Sequence, residues 1–200
     1  MLCLDLETLR KQVRSGVTFR YRLFYGHAAR PDGRPSDAVF SQFFPCAFSL
    51  HGVPYRFAEQ WMMASKARLF GDREALIAIL AATQPKECKA LGRTVRDFDE
   101  TAWRQQRFDI VTVGNVAKFG QDSTLRAYLM TTGDEILVEA SPTDCVWGIR
   151  QHRQHPDAQD PLRWRGQNLL GFALMRARSI LRGELAPPSL PARLTASMAE

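Results

Sequence analysis

Little in this chain of 200 residues can hold it together covalently. Its four cysteines, Cys3, Cys46, Cys88 and Cys145, form no CxxC pair and no zinc-spaced cluster with histidine. They read as the reduced thiols of a cytosolic protein. His152 and His155 lie in a polar stretch beside Pro156, which reads as a solvated loop rather than a metal site. No run approaches the roughly 20 apolar residues of a membrane span, and the N-terminal stretch has no long apolar core of a signal peptide. A cytoplasmic chain with no membrane partner is therefore expected. Acidic residues are outnumbered, 21 against 27 Lys and Arg, for a net charge of +6. That balance favours anionic ligands such as phosphates or nucleic acid. Yet no long block of consecutive basic residues forms a nucleic-acid tail. P-loop, GxSxG, HExxH and complete Rossmann patterns are absent, which argues against the usual nucleotide hydrolases and hydride-transfer enzymes.

What is there suits one folded domain. The hydrophobic fraction is 45% and the charged fraction 24%, and a chain of this length buries a core without staples. Residues 1–17 form a leader, with a short helix or a loosely held arm. Phe19 to Tyr25 alternates aromatic and basic residues, a strand pattern. Ala29 to Asp37 is a loop, Phe40 to Phe48 is aromatic-rich and irregular, and His51-Gly52 marks a turn. Asp72, Asp99, Asp122 and Asn168 stand where helices start, and Pro85 suits a first helical turn. Gly133 and Gly183 stand where helices end. Ile136-Leu137-Val138 is a short strand, and 184–200 is a proline-rich flexible tail. The expected fold is mainly α with a few short β-strands, an α+β single domain over 18–183.

Four constellations can carry chemistry. The helix containing Glu59-Gln60-Trp61-Met62-Met63-Ala64-Ser65-Lys66 places Glu59 and Lys66 on one face, roughly 10 Å apart along its axis. A carboxylate and an amine among apolar neighbours are costly to bury unless paired, solvated or used. A plain salt bridge is the alternative. The second is the loop after Glu139, where Asp144 precedes Trp147 and Gly148. The indole can offer a flat face to a base; alternatively Trp147 plugs the core and Asp144 caps a turn. The third is Arg165-Gly166-Gln167-Asn168, a helix start able to meet an anion, or a cap with packing glycines. The fourth joins Lys118 with Arg93, Arg104 and Arg107, as phosphate ligands or as a solvated basic face.

In their order along the chain these segments resemble the NADAR (YbiA-like) family. The resemblance rests on FYGH at Phe24, FSQFFPCAF from Phe40, EQWMMASKA from Glu59 and LGR at Leu91. It continues with Trp103, KFGQ from Lys118, LMTTG from Leu129, LVEASPTDCVWG from Leu137 and WRGQNLLGFALMRAR from Trp164. It implies a compact, mostly helical YbiA-like domain and an N-glycosidase, with no metal and no cofactor. The implied substrates are phosphorylated ribosyl compounds, such as a ribosylaminopyrimidine phosphate of early riboflavin synthesis. In another branch the substrate is ADP-ribose on guanine in nucleic acid. A non-catalytic ADP-ribose or NAD-binding module is the reading of another class, and the joint presence of Glu59, Lys66 and Asp144 argues against it.

Breaking a ribosyl C–N bond builds positive charge on C1 and the ring oxygen. A carboxylate stabilises that charge while a second group handles protons or water. Glu59 and Asp144 fit that two-carboxylate logic. The resemblance also implies a second route, in which the Lys66 amine forms a Schiff base with C1 of the opened ribose. Trp147 is the stacking candidate and Trp103 a shaper of the pocket. Arg93, Lys118 and Asn168 are candidates for phosphate or ribose, with Gly148 beside the Trp147 platform.

Overall fold

A computed structural model describes residues 4–195; Cys3 and the last residues of the expected tail, 196–200, lie outside the described residues. Along the chain run α1 (Leu6–Arg14), β1 (Tyr21–Phe24), a 3₁₀ turn (Asp37–Phe40), β2 (Phe48–Leu50), β3 (Val53–Tyr55), α2 (Ala58–Leu69), α3 (Arg73–Ala81) and α4 (Pro85–Arg93). They are followed by α5 (Glu100–Gln121), α6 (Ser123–Met130), β4 (Ile136–Glu139), α7 (Leu169–Leu181) and α8 (Ala192–Thr195). The fold is α+β, about 47% helical with few short strands. The chain forms two compact units, one of Met1–Ser41 and Thr124–Leu185, the other of Gln42–Ser123 and Ala186–Glu200.

The first unit is built on β1 and β4, which pair in parallel from Tyr21↔Ile136 to Phe24↔Glu139. Ile136, Leu137 and Val138 are all buried, as a continuous apolar run in a parallel pair requires. Helix α7 packs on β4, and a side chain at Gly171 would run into the Leu137 carbonyl. Arg22 of β1 binds Glu135 at 2.7 Å and Asp37 at 3.2 Å, and Tyr128 donates to the same Asp37 at 3.0 Å. The expected leader contains α1, capped by Asp5. Its Leu9 is buried, and Arg10 donates to the carbonyls of Pro161 and Trp164 at 2.8 and 3.0 Å.

The second unit surrounds α2, which packs on α3, α4, α5 and α8. Ten of its residues are buried, the polar Glu59, Gln60 and Ser65 among them, so it is a core helix that carries polar groups inside. Trp61 donates its indole N–H to the Ile110 carbonyl of α5 at 2.7 Å. Gly114 leaves room for that ring, because a side chain there would overlap Trp61. Strands β2 and β3 form a hairpin through His51 and Gly52, both at positive φ, as two-residue primed turns demand. The aspartates expected at helix starts behave so at two sites. Asp72 accepts from the Ala75 N–H at 3.1 Å, and Asp99 from that of Ala102 at 2.6 Å. Asp72 also binds Arg96, which holds its carboxyl far below the usual range. In the expected tail, α8 buries Leu194.

Candidate active site

Helix α2 carries Glu59 in its first turn and Lys66 toward its end, and the Lys66 side chain turns toward α4. Glu59 is 3% exposed; its backbone N–H donates to the Gln42 carbonyl at 2.9 Å. Burial, reinforced by the Glu59 charge, pushes the Cys88 thiol of α4 up to about 12. One turn further along α4, the Gly92 carbonyl accepts the Lys66 ammonium at 2.6 Å. The same Nζ lies 4.0 Å from the Phe98 ring centroid and 5.9 Å from that of Trp103. Burial pulls the Lys66 amine below its ordinary range, and Glu100 acts in the opposite direction. Gly92 permits the close contact of the two helices, since a side chain there would overlap Met63.

The arrangement has chemical content. An amine that is half-buried, cradled by aromatic rings and bonded to a single carbonyl is neutral over a wider pH range than a surface lysine. It therefore has access to nucleophilic chemistry. A nearly fully buried carboxylate on the same helix supplies a fixed negative field. Gln42, from which Glu59 hangs, also donates to Asn115 of α5 at 3.2 Å, and Asn115 donates to the Val111 carbonyl at 2.9 Å. Buried Gln42, Asn115 and Cys88, and the Phe98 ring over Lys66, are neighbours that the sequence pattern did not single out. Gln42 stands inside the FSQFF segment and Gly92 inside LGR, so a signal was present for these two. Phe98 lies between helices and carries none.

The basic constellation separates. Arg93 is exposed at the last turn of α4, and Arg104 is exposed and bound to Glu100 at 2.7 Å. Lys118 departs from a solvated basic face. It is 1% exposed, with Nζ 5.6 Å from the Phe44 centroid and 5.2 Å from that of Phe119. Burial lowers its amine to about 8 against the opposing influence of Cys46. Glu59, Lys66, Trp103, Arg93 and Lys118 thus all belong to the second unit.

Asp144, Trp147, Gly148 and Asn168 belong to the first. Asp144 Oδ1 accepts the backbone N–H groups of Val146 and Trp147, both at 2.8 Å. The carboxylate thus holds the turn that presents Trp147, whose ring is half-buried rather than a core plug. Two expectations for the α7 start are corrected. Asn168 is the N-cap residue, but at φ 54° it makes no side-chain cap. Its amide instead accepts from the Glu139 N–H and donates to the Leu137 carbonyl, each at 2.9 Å, with the residue fully buried. Both ends of the amide are engaged by β4, so it is a tie between strand and helix rather than a ligand for phosphate. Gly166 is buried against the Gly148 carbonyl, and Gly148 against Glu139 and Ser141. These glycines let backbone approach backbone, not phosphate.

The NADAR domain family matches residues 23–182, and the chain belongs to that family. It is 42% identical over 166 residues to N-glycosidase R617 of Acanthamoeba polyphaga mimivirus, covering 80% of this chain and 96% of that protein. It is 28% identical over 178 residues to the riboflavin biosynthesis protein VVA0006 of Vibrio vulnificus, covering 89% of this chain and 43% of that one. The solution structure of Escherichia coli YbiA superimposes with a TM-score of 0.64 at 23% identity, over 84% of this chain and 89% of that one, which establishes the common fold.

Proposed function

We propose that the chain is an N-glycosidase that releases a base or amine from C1 of a phosphorylated ribose, with Lys66 as its nucleophile. It is a hydrolase of N-glycosyl bonds, in keeping with relatives named N-glycosidase. The observation that carries the role of Lys66 is its setting: Nζ on the Gly92 carbonyl at 2.6 Å and over Phe98 at 4.0 Å, with the amine below its ordinary range. The Nζ lone pair attacks C1 as the C1–N bond breaks, and its electron pair leaves with the base nitrogen, which takes up a proton. Opening of the ring gives an imine between Nζ and C1. Water then adds to C1, the lysine amine departs, and the free sugar is released. Glu59 stabilises the positive charge at C1. Arg93 attends the phosphate from the last turn of α4. The enzyme works in the cytoplasm without a cofactor.

A ribosylaminopyrimidine phosphate is the substrate favoured here, supported by the riboflavin-synthesis name of the Vibrio relative. The net charge of +6 favours a second reading, removal of ADP-ribose from guanine in nucleic acid. Side-by-side turnover of both substrates over a range of salt tests the choice. The expected result is faster cleavage of the pyrimidine compound, with a shallow salt dependence. Preferential release of ADP-ribose from an oligonucleotide, falling steeply with salt, would establish the second reading. Cleavage of neither refutes both.

A further inference from the structure

A cavity of about 600 Å³ in the first unit is lined by Phe19, Arg20, Ile136, Met175, Arg178 and Arg182, among others. It opens where β1 and β4 begin, at the Arg20 carbonyl that accepts the Ile136 N–H. That is the opposite end of these strands from Glu139 and the Asn168 tie. We propose that this cavity is a binding site for a small oxyanion, a phosphomonoester or a carboxylate with an apolar portion, and that Arg178 is its anchor.

Arg178 is 4% exposed. Its Nη1 donates to the Thr132 hydroxyl at 2.7 Å and to the Glu135 carbonyl at 3.1 Å. These bonds fix the plane of the guanidinium. Its Nε–H is buried and has no acceptor. A buried charged donor without an acceptor is unfavourable. Asp134 and Glu184 also line the cavity, where they pair with Arg182 at 2.9 and 3.6 Å, and Glu135 pairs with Arg22 at 2.7 Å. Their charges act on Arg178 through space, but none of the three accepts its Nε–H. Burial, joined by the Arg182 charge, lowers the guanidinium to about 10 against the opposing pull of Asp134, Glu184 and Glu135. A water molecule can accept the Nε–H bond but cannot neutralise the charge. An oxyanion does both, and the edge of a guanidinium suits phosphate and carboxylate alike.

Arg20 stands exposed at the rim and supplies a second cation. Phe19, Ile136 and Met175 make one part of the wall apolar, beside the polar Thr18, Ser179, Asp134 and Glu184, and the volume is that of a small-metabolite site. This site is separate from the Lys66 chemistry and does not depend on it.

The test follows the side-chain Nε–Hε resonances of ¹⁵N-arginine in the full chain, with Arg178 assigned through its bonds. Phenyl phosphate and benzoate are titrated separately. The Arg178 resonance is expected to move and saturate with at least one of them, phenyl phosphate marking a phosphomonoester site and benzoate a carboxylate site. Arg20→Ala is expected to weaken that binding about tenfold, the loss of one charge-assisted contact, with the unliganded melting temperature unchanged. An Arg178 resonance that neither probe moves overturns the proposal, as does equal affinity in Arg20→Ala.

Discussion

Lys66 and Glu59 share one helix but differ in what surrounds them. Lys66 faces an aromatic cradle and one carbonyl, so its amine loses its proton more readily than an exposed lysine does. If the neutral amine attacks C1, kcat/KM rises with pH on the acid side of the ordinary lysine value of 10.5. A pH–rate profile checks this, and a rising limb at the ordinary value speaks against attack by Lys66. Glu59 is 3% exposed, and Glu59→Gln keeps its shape while removing its charge. Cleavage is expected to be lost with the melting temperature changed by only a few degrees; unfolding of the variant would make Glu59 structural. The phase of these two residues was legible because helical spacing puts seven-apart residues on one face. The role of Phe98 was not, because only the tertiary fold carries an interhelical residue over Nζ. Asn168 was misread for a related reason: its type suits a cap, but a left-handed backbone at φ 54° turns its amide to β4.

At the scale of elements, the α2–α4 contact decides the geometry of the site. Gly92 both permits the approach to Met63 and presents the carbonyl that Lys66 uses. Gly92→Ala is expected to destabilise the protein by about 1–3 kcal/mol, the usual cost of overpacking, and to lower kcat by displacing that carbonyl. Denaturant unfolding and turnover measured on the same preparation check it; full stability with full activity would show that the contact is slack. Elements with strong local signals were legible, such as α3 and α5 behind Asp72 and Asp99, α4 at Pro85, and β4 from its apolar run. The β2–β3 hairpin was less so, because strands of three residues have no periodicity to read, although His51-Gly52 marked its turn. The segment 184–195 reads as a tail from its prolines, yet Leu194 finds a place against the second unit's core.

At the scale of the whole molecule, Lys118 makes one contribution to stability depend on pH in the alkaline range. The folded state holds this amine neutral above about 8, whereas an unfolded chain does so only above 10.5. Between these values the unfolded chain binds more protons, so the contribution of Lys118 to stability rises with pH across that window. Below it, the folded protein carries a buried charge. The stability of Lys118→Met relative to the wild type is therefore expected to fall by about 1–3 kcal/mol between pH 7 and pH 10. Unfolding curves at the two pH values decide it, and a constant difference would mean that Lys118 is not the titrating group. Among the described residues no helix is long and apolar enough to cross a membrane, and the family match spans 23–182, across segments of both units.

The nucleophilic role of Lys66 is tested most directly by borohydride reduction during turnover, followed by peptide mass spectrometry. The expected result is a reduced sugar adduct on Lys66 in the wild-type protein, absent from Lys66→Met, which is also inactive. No adduct during active turnover, with cleavage surviving in Lys66→Met, contradicts the Schiff-base route and returns the chemistry to Glu59.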